Sequence, residues 1–343
     1  MPLKVSDIGE KRLIKRVLNK SHSKVFNASF FDNKSIKSLN DDAALIDFGD
    51  KYLVATSDIL FQSTHFPDLM TPKQIGEKVV AVNVSDLAAM GAKPLGIIIA
   101  LGLPAEMLLE DFDMLIDGIL EGCGKYEMML IGGDTNESSE LTLSATCLGI
   151  VGKNEVLMKE GANPGDIVAV TGSLGLAAAG FEIMLNSDLN PEDIKEEHKN
   201  IALKHALEPE AKSKEGILLA KSGHVSSATD ITDGLASEIG ELINACRGEI
   251  GIDVYEKNLP IDHSTIEIAQ KAGKNPLEFA LYYGEDFEIL LTVKKEFFEQ
   301  VNAKTKLYKI GKVNSSGKMT IVYKEGTEKI LKPRGYEHLT KNI

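Results

Sequence analysis

Residues 75–94 read IGEKVVAVNVSDLAAMGAKP, and this stretch sets the first constraint on the fold. Its apolar residues predict a helix over residues 75–90 that ends at Gly91, with Pro94 beyond it. Most faces of this helix are apolar, yet Asp86 lies within it. A buried carboxylate needs a partner, because removing a charge from water is costly when nothing compensates it. Asp86 is therefore the first candidate for a functional residue.

The segments on either side of this helix alternate between helical and strand patterns. In chain order they predict a helix over 8–18, a hairpin around 47–50, strands over 96–103, 128–131 (a buried strand) and 141–151, a long amphipathic helix over 105–126, a strand and helix from 167 to 185, helices near 231–245 and 264–271, and strands near 250–254, 287–293 and within 307–323. A polar Gly/Pro segment at 159–165 marks a change of composition. The chain is expected to be α/β or α+β, with an N-terminal domain over 1–152 and a C-terminal domain over 153–343.

The composition is that of an ordinary globular protein, with 43% hydrophobic and 26% charged residues among 343. The formal net charge of −13 argues against a nucleic-acid or anionic-membrane partner, since either favours a basic surface. Apolar runs are too short to span a bilayer and the first residues are charged, so a cytoplasmic location is expected. The cysteines lie far apart without zinc spacing, and Cys123 and Cys147 are expected in the core.

Seven aspartates lie at the ends of apolar segments or within the apolar helix: Asp41, Asp42, Asp58, Asp86, Asp134, Asp230 and Asp233. Strand ends converge on one edge of a domain, so these side chains are expected to meet there. Converging carboxylates repel one another, and bound divalent cations would remove that cost. Magnesium takes oxygen ligands and is usually held by a few carboxylates together with substrate phosphates. Thr56 and Ser57 would add further oxygens, and no His or Cys cluster favours a softer metal.

Several of these residues also fit a purely structural role. Asp at a strand end forms turns and helix caps, and Asp233 equally fits a cap of the helix after it. The segment TGSLGLAAAG (171–180) opens a helix, where its backbone N–H groups would receive a phosphate or its glycines would allow close packing. Gly133 and Asp134, in GGDT, suit phosphate approach beside a cation. His65 is a lone histidine whose closeness to Asp58 in sequence suggests a substrate contact. Neither GxxxxGK[ST] nor GxGxxG is present.

Taken together, these segments resemble thiamine-monophosphate kinases, of the aminoimidazole-ribonucleotide-synthetase-like superfamily. The similarity covers nearly the whole chain and rests on motifs in the family's order: IGEKRLI (8–14), NDDAAL (40–45), TSD (56–58), THF (64–66), the stretch 75–94, IGGDT (131–135), GANPGD (161–166), TGSLGLAAAG (171–180), ATDITDGL (228–235), GED (284–286) and RGYEH (334–338).

The resemblance implies transfer of the γ-phosphate of ATP to thiamine monophosphate, giving thiamine diphosphate and ADP, with several Mg²⁺ ions. It implies a two-domain fold, with a homodimer whose N-terminal domains form a shared β-barrel. By the matched motifs, the magnesium ligands are Asp42, Thr56, Ser57, Asp58, Asp86, Asp134, Asp230 and Asp233. The ATP contacts are Gly133, Asp134, Lys159 and Thr232, and the thiamine phosphate contacts are His65, Glu285 and Tyr336.

Two positions depart from the family pattern. Asn40 replaces a glycine before the Asp pair, and asparagine tolerates left-handed backbone angles. Lys159 replaces an ATP-contacting arginine, which keeps the charge but loses the bidentate fork. Because the acceptor is already a phosphate oxygen, no phosphoenzyme and no nucleophile or general base is expected.

Two alternatives to the kinase are kept. An aminoimidazole ribonucleotide synthetase is the nearest sibling, although THF and IGEKRLI fit the thiamine enzyme better. A non-catalytic nucleotide-binding relative would keep the fold without the activity. Selenophosphate synthesis and hydrogenase maturation fit less well, because both need a cysteine that this chain lacks at the corresponding place.

Overall fold

The computed structural model describes residues 4–23, 36–37, 41–337 and 339. The α-helices in this part of the chain are Glu10–Ser23 (α1), Gln62–His65 (α2), Pro72–Ala89 (α3), Leu109–Lys125 (α4), Leu176–Leu185 (α5), Glu196–Leu207 (α6), Ser213–Ser222 (α7), Leu235–Ala245 (α8), His263–Lys271 (α9), Pro276–Tyr282 (α10) and Phe298–Asn302 (α11). The strands are Ile36–Lys37 (β1), Ala44–Phe48 (β2), Lys51–Phe61 (β3), Lys93–Leu103 (β4), Met129–Glu137 (β5), Thr142–Gly152 (β6), Ile167–Val170 (β7), Val225–Asp230 (β8), Gly251–Tyr255 (β9), Ile289–Val293 (β10), Tyr308–Asn314 (β11), Met319–Val322 (β12) and Glu328–Ile330 (β13).

The N-terminal half forms a six-stranded sheet in the order β1-β2-β3-β6-β4-β5. Its strands pair antiparallel except for β4 and β5, which are parallel. Helices α3 and α4 pack against each other beside this sheet. The predicted hairpin around 47–50 is confirmed as β2 and β3.

The C-terminal half forms a seven-stranded sheet in the order β13-β12-β9-β11-β7-β10-β8. The two strands predicted within 307–323 are present as β11 and β12. They do not pair with each other, because β9 lies between them, antiparallel to β11 and parallel to β12. The fold is therefore mixed α/β in two domains. The boundary between residues 152 and 153 stays a prediction.

Helix α3 is the element that joins the two halves. Its start is set by Thr71, whose hydroxyl accepts the Gln74 backbone N–H in a capping box, with Pro72 in the first turn. Thirteen of its 18 residues are buried, because α4 and strands of the first sheet pack on it together with α7 and β8 of the C-terminal half. The helix predicted over 75–90 is confirmed, and it is the shared core of the protein.

The sequence predicted a buried strand over 128–131, and this prediction is wrong about the length and the burial of β5. It extends through the glycine pair to Glu137, and all nine of its residues are exposed. It is the edge strand of the six-stranded sheet, and among the described strands it pairs with β4 alone. Asp134 therefore lies within a strand and not after one.

Within the described residues, no helix combines the length and the apolar character needed to cross a membrane.

Close packing of α3 against α4 gives a first prediction. A Cβ atom added to Gly118 would lie 2.0 Å from the carbonyl oxygen of Lys73, whereas one added to Gly124, on the same helix α4, meets nothing within 4 Å. We expect Gly118→Ala to force the two helices apart and to lower the free energy of unfolding by about 1–3 kcal/mol. Gly124→Ala should leave it unchanged or raise it by up to about 1 kcal/mol, because alanine favours helix. Urea unfolding of both variants measures this. An equal effect of the two substitutions would contradict the packing described.

Candidate active site

Carboxylates converge where α3 faces β3 and β8. Along β3 the side chains alternate, so Thr56 and Asp58 share one face of the sheet with the buried Val54. The Thr56 hydroxyl donates a hydrogen bond to Asp86 of α3. Ser57 lies on the opposite face of the sheet, where its hydroxyl donates to the Ala145 carbonyl at 2.9 Å. Of the three TSD side chains, two therefore face Asp86.

Two further aspartates close this group from the other side. Asp230 ends β8 and is 2% exposed, and the Ser85 hydroxyl of α3 donates to it at 2.6 Å. Asp42, just before β2, accepts from the Thr229 hydroxyl at 3.0 Å through Oδ1. The same Oδ1 lies 2.7 Å from Lys159 Nζ. The other carboxylate oxygen of Asp42, Oδ2, is buried and has no hydrogen-bond partner among the residues that the structure describes.

Burial raises the pKa values of these carboxyls, and for Asp230 and Asp86 the neighbouring carboxylates raise them further. Burial, followed by the charge of Asp42, raises the pKa of Asp230 to about 7. Burial raises the pKa of Asp58 to about 6. The pKa of Asp86 is raised well above its usual value by burial and then by Asp58, Asp230 and Asp42. The site holds more negative charge than its own residues neutralise.

An oxygen-ligated cation fits this arrangement. Within residues 4–23, 36–37, 41–337 and 339, no three His, Cys, Asp or Glu side chains form a ready-made metal cluster. Magnesium does not require one, because it is commonly bound by one or two carboxylates together with waters and phosphates. The unpartnered Oδ2 of Asp42 and the repulsion around Asp86 are what a cation would compensate.

Lys159 and Asp41 lie beside this group. Burial alone would lower the pKa of the Lys159 ammonium, but the adjacent Asp42 carboxylate outweighs it, so the pKa is raised. Asp41, which had no role from sequence, accepts the Lys159 backbone N–H at 3.1 Å. Burial and then the charge of Asp42 raise the pKa of Asp41 to about 6. Asn40, the departure before this pair, lies outside the described residues.

Asp134 stands on a different face of the first sheet. Cross-strand pairing aligns it with Ala100 on β4, Ser144 on β6 and Ile59 on β3, and Ile59 is half exposed. Asp58 belongs to the adjacent row with Ala145, Ile99 and Gly133. Adjacent rows point to opposite faces, so Asp134 does not join Asp58 within one chain. It accepts a hydrogen bond from Asn136 at 3.3 Å.

Gly133 also has a packing role. A Cβ atom there would lie 2.2 Å from the Ile99 carbonyl oxygen. The glycine is therefore required by the pairing of β5 with β4, whether or not a nucleotide approaches it.

A second group of predicted residues lies around Thr232 and Glu285. The Glu285 N–H donates to the Thr232 carbonyl at 2.8 Å, and the Tyr336 N–H donates to the Asp233 carbonyl at 3.0 Å. Gly234, not Asp233, occupies the N-cap position of α8. Glu285 has φ of 64° and Phe287 has φ of 49°, a left-handed conformation that is uncommon for residues other than glycine. Such strain persists where surrounding contacts enforce it, often at functional sites.

Lys78 is a buried charged residue that sequence reasoning missed. Its side chain is fully buried in α3, and its Nζ donates to both Glu285 carboxylate oxygens, at 2.7 and 3.0 Å, and to the His65 carbonyl at 3.0 Å. The signal was present in sequence, since Lys78 and Asp86 are both charged residues inside one apolar helix. Glu238 was also missed: it is buried on α8 and accepts the Asp233 N–H at 3.3 Å.

The glycine-rich segment 171–180 has a structural role. The carboxyl oxygens of Asp286 accept the Gly175 N–H at 2.9 and 3.0 Å, so the N–H at the start of α5 already has a side-chain acceptor. Burial raises the pKa of Asp286 to about 8, although the backbone N–H groups of α5 oppose that rise. A Cβ atom at Gly175 would lie 2.9 Å from the Ala280 backbone nitrogen. Of the two alternatives, phosphate binding and close packing, the structure supports close packing.

Comparison with known proteins assigns the two halves of the chain to two related domain families. Residues 40–151 match the family model of the AIR synthase related protein N-terminal domain, and residues 163–324 match that of its C-terminal domain. Thiamine-monophosphate kinase of Pyrococcus abyssi is 36% identical over 306 residues, covering 89% of this chain and 92% of that protein. The enzyme of the same name from Pyrococcus horikoshii is also 36% identical, covering 90% and 92%.

Among solved structures, AaThiL complexed with AMPPCP and TMP superposes with a TM-score of 0.83 at 27% identity. The similarity covers 98% of this chain and 99% of that one. The chain therefore belongs to the thiamine-monophosphate kinase family of AIR synthase related proteins.

Proposed function

We propose that this protein transfers the γ-phosphate of ATP to thiamine monophosphate, forming thiamine diphosphate and ADP. The observation that carries the proposal is the group of mutually repelling carboxylates around Asp86, next to a second group around Glu285. The similarity to AaThiL complexed with AMPPCP and TMP supports both substrates, since it extends over almost the entire chain.

The roles proposed for individual residues follow the family motifs. Asp42, Thr56, Ser57, Asp58, Asp86, Asp134, Asp230 and Asp233 would hold Mg²⁺; Gly133, Asp134, Lys159 and Thr232 would contact ATP; His65, Glu285 and Tyr336 would contact thiamine monophosphate. Thr56, Asp58, Asp86, Asp230 and Asp42 have the support of shared contacts or charge coupling. Ser57 and Asp134 point to the other face of the sheet, so their proposed roles rest on the motif alone.

The chemistry requires alignment more than covalent help from the protein. Bound Mg²⁺ would neutralise charge that develops on the transferred phosphoryl group. The chain's own contribution is to hold the two anionic reactants in line, with the carboxylates of Asp42, Asp86 and Asp230 fixed by hydroxyl donors. The acceptor oxygen needs no proton removed, so no residue is assigned as a general base.

A homodimer is proposed as the assembled form. The face of the first sheet opposite α3 exposes Ile59 and Ile98, and edge strand β5 exposes Met129 and Ile131. None of the described residues fully covers these side chains, and an exposed apolar face of this kind is typical of a protein interface. Pairing of two such sheets would create the shared β-barrel expected from the family and would bring a partner to the face that carries Asp134. A cytoplasmic location also remains part of this proposal.

The activity itself is tested by incubating the protein with ATP, Mg²⁺ and thiamine monophosphate and measuring thiamine diphosphate by chromatography. We expect stoichiometric formation of thiamine diphosphate and ADP. Turnover only with formylglycinamidine ribonucleotide would indicate a synthetase instead. Binding of ATP without turnover of either substrate would indicate a non-catalytic relative.

Substitution of Asp86 tests the carboxylate site. Asp86→Asn keeps the size and an acceptor for the Thr56 hydroxyl but removes the charge, so we expect kcat to fall by at least about 100-fold, which corresponds to about 2.7 kcal/mol in the transition state. Asp113→Asn, on the exposed face of α4, is the matched control and should change kcat less than twofold. Circular dichroism of both variants establishes that they are folded. Near-normal turnover by Asp86→Asn would exclude its assignment as a ligand.

The raised pKa values predict how pH affects stability without metal. The Asp230 pKa of about 7 lies above the unfolded value of 3.8, so its contribution is present at low pH and is lost as pH rises through 7. In EDTA, raising the pH from 6 to 8 should remove about 1 kcal/mol of stability through this group. In Asp230→Asn, the free energy of unfolding should fall by about 1 kcal/mol less over the same pH range. Urea unfolding at both pH values measures the difference, and an identical pH dependence of the two proteins would contradict it.

Adding Mg²⁺ should reverse this loss. We expect Mg²⁺ to stabilise the wild-type protein more at pH 8 than at pH 6, because the Asp230 carboxyl, with a pKa of about 7, is mostly protonated at pH 6 and mostly ionised at pH 8. Asp230→Asn should gain less from Mg²⁺ at pH 8.

A further inference from the structure

We propose that Lys78 is a positioning residue for the acceptor site, which holds the Glu285 carboxylate and the His65 backbone in one fixed arrangement. The inference rests on the proposed function, because His65 and Glu285 are there assigned to thiamine monophosphate. The observation behind it is a fully buried ammonium group whose hydrogen bonds reach both of these residues.

The contacts of Lys78 satisfy the whole ammonium group. An ammonium has three N–H donors, and the structure provides three acceptor atoms within 3.0 Å: both Glu285 carboxylate oxygens and the His65 carbonyl oxygen. The Phe181 ring lies 5.8 Å from Nζ. The Lys78 side chain is 0% exposed, whereas that of Glu285 is 27% exposed. Lys78 is therefore shielded from substrate, whereas part of the Glu285 side chain remains accessible.

Glu285 is also held through its backbone, in a conformation that needs support. Its φ of 64° is left-handed, and its N–H donates to the Thr232 carbonyl at 2.8 Å. A Cβ atom at Gly284 would lie 1.8 Å from the same carbonyl oxygen, so the two segments are in close contact. Phe287, with φ of 49°, donates its N–H to the Ile231 carbonyl at 3.0 Å. The ion pair with Lys78 fixes the side chain that this strained backbone presents.

The charge of Lys78 has a second consequence for the acceptor. An unpaired Glu285 carboxylate would repel the phosphate of thiamine monophosphate. A buried cation at 2.7 Å compensates that charge without contacting the phosphate itself. Removing Lys78 should therefore weaken binding of the acceptor in two ways: it frees the Glu285 side chain, and it leaves a negative charge uncompensated.

Changing Lys78 should weaken the binding of thiamine monophosphate and leave the binding of ATP unchanged. Lys78 lies eight residues before Asp86 on α3, which is about 12 Å along the helix axis. Within the described residues, its polar and ring contacts are with Glu285, His65 and Phe181, not with Asp42, Asp86, Asp230 or Lys159. The ATP side of the site should therefore keep its geometry when Lys78 is changed.

The test compares Lys78→Met with Lys73→Met. Lys73 lies on the same helix and forms an ion pair of the same length, 2.7 Å, with Glu121, but its side chain is 44% exposed. We expect Lys78→Met to raise KM for thiamine monophosphate about tenfold or more, while KM for ATP stays within twofold and kcat falls less than KM rises. Lys73→Met should leave all three within twofold. An equal rise of both KM values, or no rise in either, would overturn the positioning role.

A double variant covers the case in which Lys78→Met does not fold, because it removes the uncompensated buried charge. If Lys78 acts chiefly through Glu285, with its contact to the His65 carbonyl the smaller part of the role, then Lys78→Met/Glu285→Gln should have a KM for thiamine monophosphate within twofold of Glu285→Gln alone. A further tenfold rise in the double variant would show that Lys78 acts independently, and the inference would be wrong. Absence of turnover by the wild-type protein would instead refute the proposed function. Failure of the positioning role would therefore appear only in the Lys78 variants, whereas failure of the proposed function would appear in the wild-type protein.

Discussion

Burial of helix α3 on both sides is the constraint on which the rest of the structure depends. A helix enclosed by two domains must give its buried charged side chains partners, because an unpaired charge in the interior is costly. Lys78 meets Glu285, Ser85 meets Asp230, and Asp86 meets Thr56. Each partner comes from a different segment of the chain. The same helix that forms the shared core therefore sets the positions of the residues proposed to bind both substrates.

The two ends of this helix differ in how their charge is balanced. At Lys78 the protein supplies its own counter-charge, and the pair is complete. Around Asp86 the carboxylates outnumber the nearby cation Lys159, and their pKa values are raised. The neutral ion pair of Lys78 and Glu285 suits a residue that positions its neighbour. The excess of negative charge around Asp86 suits a site that binds a metal ion and a nucleotide. This difference is the physical basis for assigning one end to the acceptor and the other to ATP.

Much of the fold follows from local sequence signals. Thr71 and Pro72 fix the start of α3, and the apolar periodicity of residues 75–90 was sufficient to identify the helix. The importance of Asp86 also followed from sequence, because a carboxylate in an apolar helix has few structural roles open to it. The expectation that the aspartates lie at strand ends holds for Asp230, which ends β8, but is wrong for Asp58 and Asp134. Asp58 and Asp134 lie inside β3 and β5, so strand alternation decides which face each occupies.

The residues that were missed depend on tertiary contacts. Lys78 finds its partner 207 residues later in the chain, a separation that no local pattern reveals. The exposure of β5 could not be predicted either, because its apolar residues resemble those of a buried strand and only the sheet order places it at an edge. The contact between Asp286, in the motif GED, and the start of α5 also joins segments far apart in sequence, so no local pattern predicts it.

The central claim is that the carboxylates gathered around α3 bind the cations that carry ATP. Crystals grown with Mn²⁺, which like Mg²⁺ takes oxygen ligands, and with AMPPCP would test it directly through the anomalous signal of manganese. We expect anomalous peaks within about 2.5 Å of carboxylate oxygens of Asp86 and of Asp42 or Asp230. Peaks located only elsewhere, with the nucleotide bound, would contradict the account.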